Sequence, residues 1–225
     1  MNFLFNGGCI WGFFEYIGAI RYIKEHDITY DKLYGISAGG GIAVCLLLDI
    51  DIDELISYNE RIVNETAFKS LTEIQRLGVE FVFEGRPDAY KLANNRLFIG
   101  LTNKNGFYFK STFTSNDDLA NAMICGGTVP LFSHCNSICD GHHTIDGGIG
   151  FTDEHLPINT IVIRPTAPFP LAALPPPVFL QKLLIAMGYR NAEHYIQTNN
   201  IVVGDMWYSS PGLLPLWLYI HANTI

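Results

Sequence analysis

The sequence predicts an α/β fold in which a mainly parallel sheet is covered by helices. Three observations predict it. Short apolar runs at residues 2–6 and 32–36 each meet a turn of small residues, Gly7-Gly8 and Ser37-Ala38-Gly39. A segment of helical character follows each run, which is the rhythm of parallel βαβ units. Hydrophobic residues make up 48% of the chain against 16% charged, which supports a deep core and excludes disorder. At 225 residues the chain suits a single domain, with its motifs in residues 2–164 and a helical and apolar segment over 165–225.

The elements follow in order. Residues 2–6 read as a buried strand ending at a glycine turn. Over residues 10–25, Trp11, Phe14, Ile17, Ile20 and Ile23 recur near the helical period, with Glu15, Arg21 and Lys24 elsewhere on the wheel, so an amphipathic helix is expected. Residues 32–36 form a second strand, and the small apolar stretch 38–48 a buried helix. Asp51 or Asp53 caps a helix through Leu55, Ile56 and Ile62, and further helical stretches cover 70–79 and 88–92. Residues 96–102 and 106–112 read as strands around Asn103-Lys104-Asn105-Gly106. Asn116 or Asp117 caps a helix over 118–125 that stops at Gly126-Gly127. Residues 137–139 and 142–145 flank Asp140-Gly141, a strong hairpin signal. A late strand covers 160–164 and a helix 178–195. The apolar tail 213–220 is too short to span a bilayer and reads either as a core-docked segment or as an interfacial anchor through Trp217 and Tyr219.

Charge and cysteine usage narrow the function classes. The net charge is −8, which argues against a nucleic-acid partner. Mean hydropathy is nevertheless positive at +0.18, the mark of a deep core or of an apolar surface facing a lipid-like partner. No apolar stretch reaches the roughly 18–20 residues of a spanning helix, and residues 1–5 lack the features of a secretory signal. Five cysteines, an odd number, then read as reduced thiols of an intracellular protein.

Three motifs carry chemistry. Gly35-Ile36-Ser37-Ala38-Gly39 is a G-x-S-x-G between a strand and a helix. That context is what a nucleophile turn requires, because only small neighbours let a strained serine stand clear of the sheet. Gly7-Gly8-Cys9-Ile10-Trp11-Gly12 also joins a strand to a helix, so its amides form an anion site. It lacks the Lys-Ser/Thr of a phosphate loop. With a serine turn on the neighbouring strand, an oxyanion hole is the better reading. Asp146-Gly147-Gly148 alone is an ordinary turn, but beside a serine its Asp can serve as the base. His155, His194 and His221 stand in no telling context for a triad. Asp49, Asp51, Asp53 and Glu60 resemble a calcium loop but have Glu54 where the turn demands glycine. Cys135, Cys139, His142 and His143 do not have the spacing of a zinc module.

As a set, Gly7-Gly8-x-x-x-Gly12, Gly35-x-Ser37-x-Gly39 and Asp146-Gly147-Gly148 resemble the patatin-like phospholipase family, as does the stretch from Ala122 to Pro130. The resemblance covers residues 2–164 in order and spacing. It implies a three-layer α/β/α fold and acyl hydrolysis of phospholipids or other acyl glycerides, without cofactor or metal. Ser37 would be the nucleophile, Asp146 the base, and the backbone of Gly7, Gly8 and Cys9 the oxyanion hole. Gly12, Gly35, Gly39, Gly147 and Gly148 would shape the turns. The partner implied is a lipid substrate, met in the cytoplasm with peripheral contact to a lipid surface. The sequence departs from the family pattern at Asn6, where Asp is common, at Cys9, where a third glycine is usual, and at Cys125-Gly126. A catalytically silent lipid-binding protein on the same fold is the alternative.

Overall fold

The computed structural model describes residues 1–65, 71–130, 133, 137–166 and 175–198. In chain order these form β1 (Asn2–Phe5), α1 (Cys9–Glu25), β2 (Lys32–Ile36), α2 (Ala38–Leu47), α3 (Ile52–Glu65), α4 (Leu71–Phe83) and α5 (Ala89–Ala93). There follow β3 (Leu97–Asn103), β4 (Gly106–Lys110), α6 (Asn116–Gly126), β5 (Ile138–Cys139), β6 (His142–Asp146), β7 (Thr160–Ile163) and α7 (Val178–Thr198). The architecture is mixed α/β, with a mostly parallel central sheet flanked by helices, as the sequence predicts. Cys135 and the tail 213–220 lie outside the described residues.

The sheet runs β5-β6-β3-β2-β1-β7, with β4 on β3. Strands β7, β1, β2 and β3 are parallel, while β4 and β6 run antiparallel to β3. β1 lies between β2 and β7, and Phe3, Leu4 and Phe5 are fully buried, because a central strand of a parallel sheet has neither edge nor face in water. Alternate side chains feed two clusters. Phe3, Phe5 and Leu33 join the large core beneath the helices. Leu4, Tyr34 and Ile36 face Phe98, Phe107, Phe109 and Phe151 in a smaller aromatic one.

Several details sharpen the expectations. Asp51, not Asp53, caps α3, accepting from the Asp53 and Glu54 amides at 3.0 and 2.9 Å. Ser115 caps α6 through the Asp118 amide at 3.1 Å, one residue before the expected cap, because a hydroxyl fits that N3 contact as well as a carboxylate does. Asp140 and Gly141 both have positive φ, 52° and 77°, the geometry of the tight turn their sequence announces. α7 docks on α1 through two glycines that periodicity did not single out. A Cβ on Gly188 would lie 1.7 Å from the Glu15 carbonyl oxygen, and one on Gly18 would lie 1.9 Å from that of Ile185. Glu15, read from the sequence as part of the polar face of α1, is only 2% exposed. Docking α7 covers that side of the helix. Among the described residues no helix is long and apolar enough to cross a membrane.

Candidate active site

Ser37 stands between β2 and α2 with φ 55° and ψ −128°. A non-glycine residue holds such a conformation only where its surroundings enforce it. The surroundings here are two glycines. A Cβ on Gly39 would sit 2.0 Å from the Phe5 carbonyl oxygen, and one on Gly35 would sit 2.5 Å from Gly39 O and Gly40 Cα. Helix α2 can therefore start hard against the ends of β1 and β2, and the serine is pushed up out of the turn.

Strand register brings Asp146 to the same place. β2 ends where Ile36 pairs with Gly100 of β3. β6 arrives from the opposite direction and ends where Asp146 pairs with Leu101. β4 occupies the other edge of β3 across residues 99–103. β2 and β6 therefore share one edge of β3 and meet end to end, with Ser37 and Asp146 at the junction. The approach is close: a Cβ on Gly147 would lie 2.4 Å from the Gly100 carbonyl oxygen. Thr102 ties the turn down, its Oγ1 donating to Gly147 O at 3.2 Å and accepting from the Gly150 amide at 3.1 Å. The Asp146 amide donates to Thr128 O at 2.9 Å, which fixes the strand end on the segment after α6.

Asp146 is 3% exposed and accepts from the Gly148 amide at 2.7 Å, with the Ser37 hydroxyl near enough to favour its ionised form. Burial pushes its carboxyl up to about 6, and the nearby Ser37 hydroxyl and the Gly148 amide hold it from rising further. A buried carboxylate with raised proton affinity beside a serine is suited to take that serine's proton.

The glycine turn after β1 is closer to one donor pair than to three donors. The Gly7 amide donates to Oδ1 of Asn6 at 2.8 Å, so its hydrogen bond is already committed. Asn before Gly-Gly is the available sequence signal, since Asn side chains bond nearby backbone amides in turns. The Gly8 and Cys9 amides lie at the start of α1, where the first-turn N–H groups have no acceptor within the helix. Cys9 takes φ 51°, the left-handed region that a glycine would occupy freely. Its thiol is pushed up to about 12, first by burial and then by the Asp146 carboxylate, so it stays neutral at physiological pH. At Cys125-Gly126, the Cys125 thiol is buried against Cys139. A Cβ on Gly126 would lie 3.1 Å from Ile99 Cγ2.

An apolar cavity of about 140 Å³ adjoins the serine. Ser37 and Cys9 line it together with Phe13, Leu55, Val79 and Met123. The other candidates disperse. Asp49 pairs with Lys24 at 2.6 Å, Asp51 caps α3 and Asp53 pairs with Arg21 at 2.7 Å. His155 Nδ1 accepts the Thr152 amide at 3.0 Å and closes a short 3-10 turn over Asp153–His155. Among the described residues no group of three or more His, Cys, Asp or Glu converges for a metal.

No family model matches the chain. Over 145 residues it is 28% identical to patatin-like phospholipase domain-containing protein 4 of Homo sapiens, covering 58% of this chain and 56% of that protein. Over 178 residues it is 27% identical to patatin-like phospholipase domain-containing protein 2 of Homo sapiens, covering 70% of this chain and 34% of that one. The chain thus spans about half and about a third of the lengths of these relatives. What the likeness supports is a distant relationship to these patatin-like phospholipase domain-containing proteins.

Proposed function

We propose that the chain is one domain acting as a serine lipid acyl hydrolase on carboxylic esters of phospholipids or other acyl glycerides. The observation that carries this reading is the meeting of Ser37 with the buried Asp146 where β2 and β6 abut on β3, beside an apolar cavity. Ser37 Oγ attacks the ester carbonyl carbon while Asp146 takes the hydroxyl proton. The carbonyl oxygen becomes an alkoxide held by the Gly8 and Cys9 amides. As the tetrahedral species collapses, the ester C–O bond breaks and the proton passes from Asp146 to the leaving alcohol. Water then attacks the acyl-serine while Asp146 takes its proton, the acyl C–Oγ bond breaks, and the proton passes from Asp146 to Ser37 Oγ as the fatty acid leaves. The cavity suits the acyl chain because it offers hydrocarbon walls next to the attacking oxygen. The net charge of −8 and the apolar cavity favour a lipid over a polyanion as the substrate. The setting proposed is the cytoplasm, with peripheral contact at lipid surfaces.

The test is hydrolysis of a chromogenic acyl ester together with labelling by a fluorophosphonate. Ser37→Ala and Asp146→Asn should each lower kcat at least a thousandfold, since such groups act as a unit. Wild-type turnover in either variant overturns the pair. The strained Cys9 and the committed Gly7 amide favour a second reading, a lipid-binding protein without turnover. In that case the wild type binds lipid but neither hydrolyses the ester nor labels at Ser37.

A further inference from the structure

Beyond β7 the chain crosses the start of α1 as Arg164-Pro165-Thr166, and here a buried acid does something the mechanism has not used. The Glu15 carboxylate accepts from the Thr166 amide at 2.9 and 3.2 Å, one contact to each oxygen, and from Thr166 Oγ1 at 3.0 Å. Glu15 follows Gly12 by three residues on α1, and helical side chains lean toward the N-terminus, so its carboxylate reaches the crossing chain. The clamp holds Pro165 on the glycine turn. A Cβ on Gly8 would lie 2.5 Å from Pro165 Cγ, and one on Gly12 would lie 3.2 Å from Pro165 Cβ and Cγ. The upstream side is held separately. Tyr16 OH donates to Asn6 O at 2.5 Å, and the Asn6 amide donates to Ile163 O at 3.1 Å. Asn6 is thus fixed from below and Gly8 is pressed by the proline ring, which together restrict where the Gly8 and Cys9 amides can point.

We propose that Glu15, acting through Thr166 and Pro165, is a positioning residue that aims the Gly8 and Cys9 amides. This rests on the acyl-hydrolase reading for its catalytic content. Glu15 and Pro165 are given no contact with the reacting atoms; their effect is on where two donors point. Misplacing such a group by about an ångström costs on the order of a hundredfold in rate. The effect belongs to kcat, because an oxyanion forms only in the transition state. The clamp also explains the small residues at Gly8 and Gly12: the proline ring takes the space of their side chains.

The experiment compares wild type with Pro165→Ala and Glu15→Gln. Gln keeps the shape of Glu15 and one acceptor, so this variant tests the charge-assisted bonds without emptying the site. Backbone order parameters of Gly8 and Cys9, measured by 15N relaxation, read the restraint without needing turnover. Ester hydrolysis reads the consequence. In Pro165→Ala the order parameters at Gly8 and Cys9 should fall from about 0.85 toward 0.6 while those of β2 and α2 stay unchanged. Its kcat should fall ten- to a hundredfold with KM within twofold, and Glu15→Gln should fall between it and wild type. Unchanged order parameters in Pro165→Ala overturn the clamp. Lower order parameters with unchanged kcat overturn the aiming role, as does a loss carried by KM. A wild type that hydrolyses no ester and labels at no serine overturns the acyl-hydrolase reading and the catalytic part of this one, while the relaxation arm still decides the clamp.

Discussion

Asp146 carries the main pH dependence, and the sign follows from its environment. Burial lifts the folded carboxyl to about 6, from an ordinary value of 3.8. The folded state therefore binds this proton more tightly than the unfolded state does. Stability from this group is full below about pH 4 and is lost as pH rises through about 6. About two units correspond to about 3 kcal/mol of destabilisation at neutral pH. Asp146→Asn should then raise stability at pH 7 by about 1–3 kcal/mol and change it little near pH 4. Urea unfolding at the two pH values measures this, and a variant less stable than wild type at pH 7 contradicts it. The proposed activity has the opposite slope, since Asp146 must be ionised to act as its base. The kcat/KM of wild type should climb about tenfold per pH unit below about 6 and level off above. The proposed base is thus a residue that the fold would be more stable without.

At the scale of elements, glycines set how closely backbones approach. The α1–α7 crossing depends on Gly18 and Gly188, each facing a carbonyl of the other helix. Gly188→Ala should cost about 2–3 kcal/mol, because neither backbone can yield without parting the helices. Gly78, inside α4, faces open space, and a Cβ there would have nothing within 4 Å. Gly78→Ala should therefore stabilise by about 0.5–1 kcal/mol, through helix propensity and a less flexible unfolded chain. Denaturant midpoints at constant m-value compare the two, and equal effects would contradict the packing account. The same logic runs through the site, where Gly35, Gly39 and Gly147 permit contacts that a Cβ would block. Ser37 and Asp146 meet because two strands share one edge of β3 from opposite ends.

For the whole molecule the balance is a large apolar core under a sparsely charged, acidic surface. Ion pairs such as Arg76 with Glu73 and Lys91 with Asp88 lie in the open, where each contributes little. The charge of −8 acts instead as a field against anionic surfaces. If the substrate is presented on vesicles, hydrolysis on zwitterionic ones should exceed that on anionic ones at low salt by about threefold or more. The gap should close toward roughly 0.5 M salt, where the screening length falls to a few ångströms. Rates on zwitterionic vesicles should barely respond to salt, because apolar contact drives that encounter. Faster hydrolysis on anionic vesicles would contradict the charge argument.

Ser37, Asp146 and the glycines around them were legible in the sequence because each marks a local requirement. A strained turn needs small neighbours, and a strand that meets a helix at Gly-Gly or Ser-Ala-Gly announces itself within a few residues. The α/β class was legible for the same reason, since burial on both faces writes continuous apolar runs into β1 and β2. Glu15 was not legible. On a helical wheel it is one more charge on a polar face, and only the docking of α7 and the return of Thr166 bury it. Pro165 lies beyond the motifs, yet it meets Gly8 in space although 157 positions separate them in the chain. The Gly7 amide counts as a donor in sequence and is occupied by Asn6 in the fold. By itself the sequence determined which residues can do chemistry and in which turns they stand, because those constraints are local. Only the tertiary structure decided which donors remain free, which carboxyl is driven up by burial, and what holds the loop in place, because desolvation and backbone approach depend on neighbours distant in the chain.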